Sequence, residues 1–93
     1  MNQQEAKSLL RAKLARYRNY TYAELQSIVG KIETDQVKGE SGTQYQVEIQ
    51  VMWDADPQRN IRVIGSIDDG GWRAFLPLSD SFIMAPDGSF VGE

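Results

Sequence analysis

The sequence predicts an α+β fold in which an N-terminal helix or helix pair packs on one face of a four- to five-stranded antiparallel meander sheet. Three observations lead there. Apolar residues recur at spacings of three and four near the N-terminus, they alternate with polar ones from residue 43 onward, and turn residues separate the alternating runs. The 93 residues form a single domain, helical over 1–30 and sheet over 31–93, with no proline- or glycine-rich linker to divide it.

The helical part is read first. Ala6, Leu9, Leu10, Leu14 and Tyr17 gather on one side of a helix, with Lys7, Arg11 and Arg18 on another. A second start signal follows at Thr21-Tyr22-Ala23-Glu24, a capping box in which the hydroxyl and the carboxylate each satisfy a backbone N–H. Tyr22, Leu25, Ile28 and Val29 continue an apolar face up to Gly30, a natural helix stop. Two helices, or one helix broken near Asn19 to Thr21, both fit.

The sheet signals come next. Tyr45, Val47, Ile49, Val51 and Trp53 alternate with Gln44, Gln46, Glu48, Gln50 and Met52, the pattern of a strand with one buried face. The loop from Asp54 to Asn60 leads into Ile61 to Ile67, and Asp68-Asp69-Gly70-Gly71 has the chemistry of a tight turn before Trp72-Arg73-Ala74-Phe75-Leu76. A two- or four-residue turn there sets Ile67 opposite Trp72, Gly65 opposite Ala74 and Val63 opposite Leu76, which makes one apolar face. Gly65, in mid-strand, leaves a shallow spot over which a helix can cross. Lys31 to Lys38 reads as an edge strand with alternating charges, except that Ile32 and Val37 share a face only if a bulge intervenes. Phe82-Ile83-Met84 and Phe90-Val91 flank a proline and an Asp-Gly pair, so a short last hairpin is predicted.

Composition excludes much chemistry. With no cysteine and no histidine, the chain has no thiolate nucleophile, no disulfide, no Ser-His or Cys-His mechanism and none of the commonest transition-metal ligands. An enzyme is disfavoured, although carboxylates, tyrosine and lysine stay available for catalysis, and no cofactor and no metal is expected. No run approaches the ~20 apolar residues of a membrane helix, and no secretory signal opens the chain, so a cytoplasmic protein that does not enter the membrane is expected.

Charge is uneven. The first twenty residues carry +4 and the remainder −7, within a total of −3. The basic stripe of Lys7, Arg11 and Arg18 would suit phosphates, but a solvated helix face is the better explanation and nucleic acid is disfavoured for an acidic protein. Asp54, Asp56 and Asn60 have part of a calcium-loop pattern but lack its glycine and closing glutamate, and so read as a turn. Asp68 and Asp69 could act as an acid–base pair, yet a turn beside Gly70 and Gly71 accounts for both.

The candidate binding surface is the reverse sheet face. Met52, Ile64 and Phe75 stand there with Arg62 and Arg73 among polar neighbours, a composition like that of protein interfaces. The expected partner is another protein or a second copy of the chain. Two states of that face fit the sequence: open, or covered by the last hairpin through Phe82, Met84 or Phe90.

Overall fold

A computed structural model describes residues 1–71 and 77–93. Its elements run α1 (Gln3–Arg18), α2 (Tyr22–Gln26), β1 (Ile32–Lys38), β2 (Gln44–Trp53), β3 (Ile61–Asp68) and β4 (Leu78–Met84). The strands form one antiparallel sheet in the order β1-β2-β3-β4, a meander with the helices on one face.

Local chemistry sets the helix ends. The Asn2 side chain accepts from the Glu5 N–H at 3.0 Å, Glu5 lies in the positive first turn of α1, and Arg16 and Arg18 lie in its negative last turn. The capping box forms in full: Thr21 Oγ1 accepts from the Glu24 N–H and the Glu24 carboxylate accepts from the Thr21 N–H. The chain therefore makes two helices. Beyond α2, Gly30 takes a φ of +90° and its N–H donates to the Val51 carbonyl, which turns the chain into β1.

Alternation then decides the faces. Odd-numbered residues of β2 and β3 point at the helices, and Tyr45, Val47, Ile49, Val51, Ile61, Val63 and Ile67 are buried against Ala6, Leu10, Leu14, Tyr17 and Leu25. Gly65 is the crossing point. A Cβ there would lie 2.8 Å from Leu10 Cδ1, 3.0 Å from Ile49 Cδ1 and 3.2 Å from Leu14 Cδ2, so its missing side chain lets α1 approach the sheet.

The register of β3 differs from the sequence expectation. Ile67 pairs with Leu78, Gly65 with Asp80, Val63 with Phe82 and Ile61 with Met84, so the partner of β3 is 78–84. Both registers put even-numbered residues opposite odd-numbered ones, and alternation cannot separate them. Reach does: a partner at 72–76 would stop at Val63 and bring Pro77, which has no N–H, opposite Arg62, whereas β4 spans β3 from Ile61 to Ile67 and adds Phe82 and Met84 to the core. The strand expected at Trp72 to Leu76 lies outside the described residues.

β1 also departs from expectation, because it pairs with β2 without a bulge. Ile32 and Val37 fall on opposite faces. Val37 is half-buried beside the core, and Ile32 points away from the helices, 56% exposed. The last hairpin forms as predicted, with Ala85 N–H donating to the Ser89 carbonyl and Phe90 bridged to Met84. It pairs along the outer edge of β4 and turns the Phe90 side chain to the helix side.

Candidate functional site: the open face of the sheet

The even-numbered residues of β1, β2 and β3 and the odd-numbered residues of β4 make the face away from the helices. Two cross-strand rows define its apolar end: Ile32, Gln50, Ile64 and Ser81 in one, and Met52, Arg62 and Ile83 in the next. Ile32, Met52, Ile64 and Ile83 thus surround Gln50 and Arg62 through direct and diagonal neighbours. None of the four belongs to the buried core. Met52, Ile64 and Ile83 are half-buried, and the rest of the described face is polar, exposed at Thr34, Gln46, Glu48 and Ser79 and half-buried at Ser66.

Arg62 is held in place. Its Nε donates to Asp54 Oδ1 at 3.1 Å and one terminal nitrogen lies 3.0 Å from the same oxygen in an ion pair, which ties the guanidinium to the start of the β2–β3 loop. The same contact engages Asp54 as a carboxylate partner of arginine. The loop closes by backbone bonds, Asp54 N–H to the Asn60 carbonyl and Asp56 N–H to the Asp54 carbonyl, and α2 pins it through Tyr22 Oη on the Arg59 carbonyl.

Of the residues expected to form the site, Met52, Arg62 and Ile64 come together on this face, and Arg73 and Phe75 lie outside the described residues. The residues proposed as a cover do not cover it, and among the described residues this face is open. Phe82 and Met84 are buried under the helices, and Phe90 packs edge-on against Phe82 at 5.7 Å on the same side. Two members are not legible from the sequence alone: Ile32, which takes the face opposite to Val37 in the same strand, and Ile83, whose place depends on the pairing of β4 with β3.

The remaining candidates have structural work. Asp68 accepts from the Gly70 N–H and Asp69 from the Gly71 N–H, each shaping the turn it begins. Of the basic helix, Arg18 makes a two-point pair with the Glu93 carboxylate at 2.8 and 2.7 Å and stacks over Phe82 and Phe90. Lys13 bonds Asp35 at 2.9 Å and lies 3.4 Å from Glu33. At the other end of α1 the Glu5 carboxylate accepts from Ser41 N–H, Ser41 Oγ and Tyr45 Oη, contacts that hold it below the ordinary 4.5 of a glutamate. Positive helix and acidic sheet therefore meet across the fold.

Among the described residues, no group of three or more His, Cys, Asp and Glu side chains is placed to hold a metal ion. No described helix is long and apolar enough to cross a membrane. Set beside known proteins, this helix-backed meander matches no family model, no curated protein and no solved structure.

Proposed function

We propose that this chain is a non-catalytic protein-interaction module, acting in the cytoplasm, that docks a protein partner on the open sheet face around Met52, Arg62 and Ile64. One observation carries the reading: Met52, Ile64 and Ile83 flank Arg62, and Ile32 adjoins them across Gln50, on a face over which the helices and the last hairpin do not pass. A second copy is the simplest partner. A two-fold axis along the strands lays β1 over β4 and β2 over β3, which interleaves Ile32 with Ile83 and Met52 with Ile64 in a self-complementary contact.

Enzyme and nucleic-acid readings have less behind them, because Asp68 and Asp69 cap turns and two of the basic helix side chains are spent on Asp35 and Glu93. Sedimentation velocity of the wild type and of Ile64→Asp over a wide concentration range tests the proposal. The expected result is association by the wild type that the substitution abolishes. A wild type that stays monomeric, and that captures no protein which Ile64→Asp fails to capture, overturns it.

A further inference from the structure

In an antiparallel edge strand, residues alternate between exchanging backbone bonds with the neighbouring strand and aiming both groups outward. The parity can be read at each edge. Along the β1–β2 register Val51 N–H donates to the Lys31 carbonyl and Gly39 N–H donates to the Thr43 carbonyl, so odd-numbered residues face β2. The backbone groups of Ile32, Thr34, Gln36 and Lys38 therefore point away from the sheet. On the far side Val91 N–H donates to the Ile83 carbonyl, which places Ser79, Ser81 and Ile83 outward on β4.

Such rows are templates onto which another strand can add. Here the outward N–H near the middle of each edge is already taken by the aspartate just before it. Asp35 Oδ1 accepts from the Gln36 N–H at 2.9 Å, and Asp80 Oδ1 accepts from the Ser81 N–H at 2.8 Å. Each aspartate points to the helix side, where α1 supplies cations: Lys13 grips the second oxygen of Asp35, and Lys7 and Arg11 border the same surface hollow as Asp80. The two edges are far apart in sequence and carry the same device.

We propose that Asp35 and Asp80 are edge guards, which consume the central outward N–H of each edge strand and set a negative charge where an incoming strand would bring its carbonyl oxygen. The guards close the edges to strand addition and leave the open face as the route for a partner. This inference does not depend on what docks on the face.

The test is made in an Ile64→Asp background, so that association through the face is removed first. Adding Asp35→Val and Asp80→Val, which suit a strand but accept no hydrogen bond, is expected to produce concentration-dependent species of twice the mass or more. Association should slow amide exchange at Thr34, Gln36, Ser79 and Ser81 several-fold relative to dilute protein. Asp35→Asn with Asp80→Asn keeps the accepting oxygens and is expected to stay monomeric. A folded valine variant that sediments as a monomer, associates without protecting those amides, or is matched in association by the asparagine variant overturns the proposal. Asp80→Val alone examines one edge if the double variant fails to fold.

Discussion

On the helix side of the sheet Val47, Ile49, Val63 and Ile67 are at most 1% exposed, while one residue away along the same strands Glu48 is exposed and Ile64 is half-buried. The backbone is common to both sides, so the difference lies in what α1 covers. Its stripe of Ala6, Leu10, Leu14 and Tyr17 is one helix wide, and Gly65 lets that stripe settle onto β3. The other face keeps an apolar quartet that is too small to be a second core and too clustered to be scattered surface residues. Burial on one side is for stability. Partial exposure on the other is what the proposed docking would use.

The sharpest way to break this contrast is a pair of truncations. Leu10→Ala empties a core position and is expected to cost about 2–5 kcal/mol, read as a shift of the urea midpoint. Ile64→Ala on the open face should cost about 1 kcal/mol, measured on the monomer. Equal losses would make the open face part of the core and remove the contrast. Next in size is Gly65→Ala, which drives a methyl group toward Leu10 and Ile49 and should cost about 1–3 kcal/mol. A variant as stable as the wild type would mean that α1 does not bear on that spot.

Arg18→Ala sharpens the view of the sheet's C-terminal margin. Losing the contacts to Phe82, Phe90 and Glu93 should cost about 1 kcal/mol and speed exchange of the Val91 amide, with β2 amides unchanged in relative protection. Unaltered exchange at Val91 would show that the arginine does not hold the segment.

The smallest effect is one of pH. Hydrogen bonds from Ser41 and then Tyr45 lower the Glu5 pKa from 4.5, so its stabilisation is in full force above the unfolded value and is lost as the pH falls through the folded one. Lys13 does the same for Asp35 and Arg18 for Glu93. Stability should therefore decline below about pH 4.5, and Glu5→Gln should flatten part of that decline in urea titrations at a series of pH values. The phenols act at the other extreme. Burial, followed by contacts with Glu33 and Glu5 respectively, raises Tyr17 and Tyr45 above 10, so stability is present below pH 10 and falls as the pH rises beyond it.

The sequence was most readable where the information is local. Asn2, the Thr21–Glu24 box and the spacing from Ala6 to Tyr17 act within a few residues, and alternation from Tyr45 to Trp53 tells each side chain its face without knowledge of its neighbours. The candidate site was half legible for the same reason. Met52, Arg62 and Ile64 followed from parity on β2 and β3, whereas Ile83 required the partner of β3, and two registers six residues apart have the same parity. Ile32 is hidden from a parity argument because the two apolar residues of its edge strand, Ile32 and Val37, take opposite faces. Arg18 with Glu93 and Glu5 with Ser41 and Tyr45 join residues far apart in the chain, and no local pattern announces them.

From its residues alone this chain set the helix–sheet division, the caps, the inward-facing side of its central strands and the absence of thiol and imidazole chemistry, because each depends on side chains within one turn or one strand. Tertiary structure decided which segment completes the sheet, where the charged helix spends its cations, and which side chains share the face turned away from the helices. Those outcomes depend on pairings between distant segments, and the stability of such a pairing is shared between two stretches of sequence that do not know each other until the chain has folded.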